Sequence, residues 1–253
     1  MLETARSIRL LLDAEMQRMT GALQVLALTN SLRNNDFDSF RRTAFGFLDQ
    51  YGKDGVVLVA DRQGRQLFSS LTLETATLPP RNNLGIVERV FTTKLPVYSN
   101  LFFGAVKQRQ IITVEVPVMR DGEVIYDISF SPPLEVFQAM IEKQRLSQDW
   151  TISIFDGDGV NLARVPNPQA TIGQRASQSL YVQMFRGAEA TLPTVSREGV
   201  PLITGFTRSR LTGWTVAAGI AETAHRAGCS GCAGRRPAGR RWRRRCSAAS
   251  APG

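Results

Sequence analysis

Two neighbouring segments alternate polar and apolar residues, Ile111-Ile112-Thr113-Val114-Glu115-Val116 and Ile125-Tyr126-Asp127-Ile128-Ser129-Phe130. Successive side chains of a strand point to opposite faces. Thr113 and Glu115 therefore share one face, and Ile112, Val114 and Val116 the other. By the same rule Asp127 and Ser129 face together, with Tyr126, Ile128 and Phe130 opposite. Antiparallel pairing through a tight Asp121-Gly122 turn collects Thr113, Glu115, Asp127 and Ser129 on one side of a sheet. Tyr98 and Asn100 on the preceding strand, and Arg109 at the start of the next, are placed to extend this set. Two carboxylates with one nearby arginine suit an amine or a zwitterion better than a dianion. They also raise each other's pKa and suit a cation. The same alternation describes the wet face of a half-exposed sheet, and at this level both readings stand.

Catalysis finds little support. A Glu115–Asp127 pair is able to do acid/base chemistry. However, residues 1–222 contain no His and no Cys, which excludes from them a Ser-His-Asp triad, a cysteine nucleophile, a Cys/His zinc site and a disulfide framework. There is also no Gly-rich phosphate loop and no nucleophile elbow. We expect no enzyme activity and no cofactor. Asp156-Gly157-Asp158-Gly159 resembles the start of a calcium loop, but its twelfth position is Asn167 rather than Glu. It reads as a hairpin turn.

The charge is unevenly placed. The chain has 253 residues, 31 Lys+Arg and 22 Asp+Glu. Eight of the arginines lie in residues 223–253, leaving 23 basic and 22 acidic residues in 1–222. The basic excess thus belongs to a tail that also holds His225, Cys229, Cys232 and Cys246. A lone C-x-x-C is a weak metal or redox signal. Trp242 among arginines is the one feature that suits nucleic acid, and no nucleic-acid partner is expected for the body. No apolar run approaches the 18 or so residues of a membrane span. Glu3, Arg6, Arg9, Asp13 and Glu15 interrupt any signal-peptide core.

The elements that must position the polar set follow from periodicity. Leu2, Ala5, Ile8, Leu12, Met16, Met19, Leu23 and Leu26 recur at helical spacing, so residues 1–33 read as one amphipathic helix. A second helix is expected over 36–51, capped by Asp36, with Phe37, Phe40, Ala44, Phe47, Leu48 and Tyr51 as its stripe. Strands follow at 56–60 and 65–70 around Asp61-Arg62-Gln63-Gly64, then a helix at 84–93. Strands at 97–103, 110–119 and 123–130 come next, and Pro132-Pro133 opens a helix to about 143. The pattern then recurs. VVLVADRQGRQLF aligns with TISIFDGDGVNLA, placing Asp61 on Asp156 and Gly64 on Gly159 at an offset of 95. Gly122 and Gly213 are offset by 91. Two copies of one α+β module are implied, far too long a repeat for a solenoid. In the second copy Thr215, Ala217 and Gly219 alternate with Val216, Ala218 and Ile220, which leaves little polar chemistry, so it reads as a structural transmitter.

The ordered phrases ALQVLALTNSLRNNDFDSF, GVVLVADRQGRQLFSS, VPVMRDGEVIYDISFSPPLEVF and FTRSRLTGWTVAAGIAE resemble the extracytoplasmic double Cache sensor region of bacterial histidine kinases and related receptors. The resemblance implies an α+β fold: a long N-terminal helix carrying two tandem PAS-like antiparallel-sheet modules. It divides the chain into a helical stalk and second helix (1–52), a membrane-distal module (53–145), a membrane-proximal module (146–222) and a basic tail (223–253). It implies a small polar ligand in the distal module, with Asp127 as the acid that meets a ligand amino group. It also implies a homodimer through the N-terminal helix, a periplasmic location, and membrane attachment only through segments outside this chain. The abrupt switch to Arg, Gly, Ala, Ser, Pro and Cys after Glu222 reads as GC-rich DNA translated out of frame. Resequencing across codon 222 tests that.

Overall fold

The computed structural model describes residues 1–72, 78–106 and 108–225. The Arg-rich segment and the C-x-x-C lie outside them. A long helix, α1 (Leu2–Ala27), buries Ala5, Ile8, Leu12, Met16, Met19, Leu23 and Leu26, the apolar stripe read from the sequence. The helix does not continue unbroken to residue 33. Thr29 adopts an extended backbone and its hydroxyl donates to the Leu26 carbonyl at 2.9 Å, which closes the helix. A single turn, α2 (Asn30–Arg33), follows. In α3 (Phe37–Tyr51) the Asp36 carboxylate accepts the Ser39 N–H and caps the helix as expected.

Two five-stranded antiparallel sheets pack against α1. The first contains β1 (Val56–Ala60), β2 (Gln66–Ser69), β3 (Val97–Tyr98), β6 (Val114–Arg120) and β7 (Glu123–Ser131). Its order is β2-β1-β7-β6-β3. The second contains β8 (Trp150–Phe155), β9 (Asn161–Val165), β10 (Glu189–Val195), β11 (Pro201–Arg208) and β12 (Thr215–Ala221), in the order β10-β11-β12-β8-β9. Counted within each sheet, both run 2-1-5-4-3. The sequence repeat is thus a repeat of topology. It extends beyond the hairpins: Gly64 O accepts the Arg81 N–H and Gly159 O accepts the Ala176 N–H, again 95 residues apart. Glycines 64 and 159 have φ of +76° and +75°, a left-handed turn position that only glycine takes without strain.

The expected strands 97–103 and 110–119 are each split. After Tyr98, Ser99 turns to bond the backbone of Thr113 twice, accepting its N–H at the hydroxyl and donating its own N–H to its carbonyl. The chain re-pairs as a separate ribbon of β4 (Phe102–Phe103) and β5 (Gln110–Ile111). Helices α4 (Leu84–Thr93), α5 (Glu135–Glu142) and α6 (Gln178–Met184) complete the order. One continuous core holds α1, α3 and the inner faces of both sheets, from Val57 and Phe130 to Ile154 and Val216. The outer face of each sheet is left for other chemistry.

Candidate functional site

The outer face of the first sheet holds the polar set. Glu115 pairs with Ser129, and Pro117 with Asp127, so the two carboxylates come from adjacent strands on one face. Thr113 Oγ1 donates to Glu115 Oε1 at 2.7 Å. None of the four is wet: Thr113, Glu115, Asp127 and Ser129 are 4%, 0%, 0% and 3% exposed. That overturns the reading of a solvated sheet face.

Burial of two carboxylates requires a counter-charge, and Arg81 supplies it. Arg81 leaves the loop before α4 and is itself buried. One Nη donates to Glu115; the other lies 3.3 Å from both Asp127 Oδ2 and Ser129 Oγ. Sequence reasoning missed Arg81. Its only signal is its place after Pro79-Pro80, and its partners lie 34 to 48 residues away.

The two acids then part company. Burial alone pushes both upward, but the Arg81 charge, with hydrogen bonds from Asp127, Arg81 and Thr113, holds Glu115 below the usual carboxylate range. Asp127 is pushed well above that range by burial and then by the neighbouring Glu115 charge. The site thus favours the charged form of Glu115, beside Arg81 and Thr113, and the neutral form of Asp127, buried beside that charge. Glu115 Oε2 and Asp127 Oδ1 have no hydrogen-bond partner among the described residues.

A cavity of about 60 Å³ opens directly over this cluster. Arg81, Thr113 and Ser129 form its polar floor, Val56 and Leu58 an apolar one, and Phe102 and Ile111 of the β4–β5 ribbon cover it. Glu115 and Asp127 do not line it; Arg81 stands between them and the space.

The remaining sequence candidates sit elsewhere. Tyr98 faces α1, on the opposite side of the sheet, where its hydroxyl lies 3.0 Å from Thr20 Oγ1. Asn100 reaches the second sheet, where its Oδ1 accepts the Gly157 N–H at 3.0 Å. Arg109 is exposed beside β5 and does not line the cavity. The Asp156 carboxylate accepts the N–H groups of Leu101, Asp158 and Val160, so it is occupied as a turn and junction residue.

No family model matches the chain, and no curated protein sequence matches it. Solved structures do. The ligand-binding domain of the Pseudomonas fluorescens chemoreceptor CtaA, in complex with L-isoleucine, superposes with a TM-score of 0.68 at 11% identity, over 90% of this chain and 93% of that one. The chain has the fold of a bacterial extracellular sensor domain. An extracellular domain assigned to the histidine kinase mmHK1S-Z3 matches with a TM-score of 0.67 at 13% identity, covering 91% of this chain and 96% of that one. The ligand-binding domain of Mlp24 with asparagine gives 0.64 at 12% identity, over 90% and 93% of the two chains. These Cache-like sensor domains share the N-terminal helix and paired sheets that the sequence resemblance implied. No described helix of the chain is long and apolar enough to cross a membrane.

Proposed function

We propose that the chain is the ligand-sensing extracytoplasmic region of a bacterial signal-transduction receptor, and that the first cavity binds a small zwitterion of the amino-acid class. The observation that carries this reading is Arg81, a buried guanidinium that borders the cavity on one side and two carboxylates on the other. A ligand carboxylate suits Arg81, and Thr113 and Ser129 supply hydroxyls beside it. A ligand ammonium that draws Arg81 aside finds Asp127, whose Oδ1 has no hydrogen-bond partner among the described residues. The amino acids bound by CtaA and Mlp24 support the same class.

In this reading residues 53–145 are the membrane-distal module and 146–222 the proximal one. The helix 1–27 is the stalk, standing on the periplasmic side of the inner membrane. It is tied to both sheets: Thr20 meets Tyr98, and Asp13 accepts the Ser209 hydroxyl at 2.6 Å. Leu10, Leu11, Val25 and Leu28 are 59%, 44%, 69% and 65% exposed on or just past this helix, which supports pairing of two copies along it. Ligand binding shifts the helix only by its difference in affinity for two arrangements.

The test is a thermal-shift screen of the full chain against amino acids, amines and carboxylates. A binder at a hundred times its dissociation constant adds about 2.7 kcal/mol of stability. The hit should vanish in Arg81→Gln and in Asp127→Ala. No shift from any zwitterion, with the protein folded, would sink the reading.

A further inference from the structure

The second sheet has its own cavity, of about 30 Å³, on the face turned away from α1. Register shows why the alternation of β12 did not reveal it. Asp127 pairs with Ala60, the residue before Asp61; Thr215 pairs with Phe155, the residue before Asp156. Thr215 is thus the counterpart of Asp127, and Phe206 and Ala217 are the counterparts of Glu115 and Ser129. Ala176 stands where Arg81 stands. The first site's chemistry is absent from these positions. Small residues replace it, and at Gly219 even a Cβ would come within 2.7 Å of Thr204 Oγ1. The polar groups sit instead on the edge strand β9.

Asn161 and Arg164 are 2% and 5% exposed, and both line this cavity. Asn161 Oδ1 and Arg164 Nε have no hydrogen-bond partner among the described residues. Burying an unpaired donor and acceptor together is costly. Arg164 is held firmly: Gln138 of α5 bonds both its backbone N–H and its carbonyl, at 3.0 Å each. One Nη reaches Glu198 at 2.7 Å in the β10–β11 turn. Arg197 of the same turn also lines the cavity, and among the described residues no carboxylate does.

We propose that this cavity is a second ligand site, for a small hydroxycarboxylate of glycolate size. A guanidinium with a free N–H calls for a carboxylate oxygen. The free Asn161 oxygen calls for a donor. Two guanidiniums with no acid in the lining disfavour an ammonium as that donor, which leaves a hydroxyl. The cavity has half the volume of the first, which favours the smallest member of that class.

Calorimetric titration of the full chain with glycolate, acetate and glycine tests this. Glycolate should bind more tightly than acetate by about tenfold, the size of one net hydrogen bond, and glycine should be weakest. Arg164→Gln should weaken glycolate at least tenfold. Asn161→Ala should erase the preference for glycolate over acetate, and it carries the test if Arg164→Gln fails to fold. Arg81→Gln should leave glycolate binding unchanged. Absence of glycolate binding, an unchanged affinity in Asn161→Ala, or loss in Arg81→Gln with retention in Arg164→Gln would each overturn the proposal, the last by placing the anion in the first cavity.

Discussion

Asp61 and Asp156 occupy the same position in two hairpins 95 residues apart, and their Oδ1 atoms do the same work. Asp61 Oδ1 accepts the N–H groups of Gln63 and Arg65; Asp156 Oδ1 accepts those of Asp158 and Val160. Their second oxygens differ. Asp61 Oδ2 takes a local ion pair with Arg65 at 2.6 Å, whereas Asp156 Oδ2 accepts the Leu101 N–H at 2.9 Å, across to the other sheet's connection. One turn is self-contained. Its copy is a junction.

Asp156→Ala should therefore cost more than Asp61→Ala. Both lose two turn hydrogen bonds, at about 1 kcal/mol each, and the Arg65 pair that Asp61→Ala also loses is largely exposed and adds little. Only Asp156→Ala also strands the Leu101 amide at the junction, which Asn100 helps to close through Gly157. The expected cost is about 3 kcal/mol against about 2 kcal/mol, read from urea unfolding. Equal costs would show that the junction adds nothing.

Glu115 and Asp127 should respond oppositely to the same chemical change. Glu115→Gln removes the closer counter-charge of the buried guanidinium and leaves only Asp127, at 3.3 Å, to replace it, so it should destabilise by up to about 3 kcal/mol. Asp127→Asn replaces an acid whose neutral form the site favours with a neutral amide of similar shape. It should cost little and should stabilise the protein relative to wild type on the alkaline side. Denaturant midpoints for both variants check this, and a larger loss in Asp127→Asn than in Glu115→Gln would contradict the opposite directions of the two shifts.

The pH profile carries the same asymmetry. Asp127 has a raised folded pKa, so its contribution is full below the ordinary carboxylate range and is lost as pH rises through the raised value. Glu115 has a lowered one, so its contribution is present above the ordinary range and is lost as pH falls through the lowered value. Wild type should lose stability from mildly acid toward alkaline pH relative to Asp127→Asn. Thermal unfolding across that range measures the difference, and parallel profiles would contradict it.

Gly205 fixes how closely the start of α1 approaches β11. A Cβ at this position would lie 2.4 Å from Leu2 N and 2.6 Å from Leu2 Cα, both backbone atoms that have no flexible end to swing away. Gly205→Ala should force the helix off the strand and cost about 1–3 kcal/mol. It should also disturb the nearby Arg6–Glu189 pair, at 2.5 Å. Hydrogen exchange of the first turns of α1 reads this directly; unchanged protection would show that the strand yields instead.

What could be read along the chain was whatever short-range physics controls. The α1 stripe from Ala5 to Leu26, the Asp36 cap, both Asp-to-Gly turns and the shared face of Thr113, Glu115, Asp127 and Ser129 depend on a period of 3.6 or 2, or on side chains bonding amides a few residues away. The second copy of the module was visible because turn chemistry repeats where packing residues do not. The tertiary structure alone decided that Arg81 closes the carboxylates, since charge neutralisation in a buried site acts through space and selects no sequence spacing. It also sent Tyr98 to α1 and Asn100 to the junction, because Ser99 leaves the sheet to bond Thr113 and ends the alternation there. The polar groups of the second cavity stayed hidden for a related reason. They moved to an edge strand, where Gln138 of another element fixes Arg164 from outside the sheet.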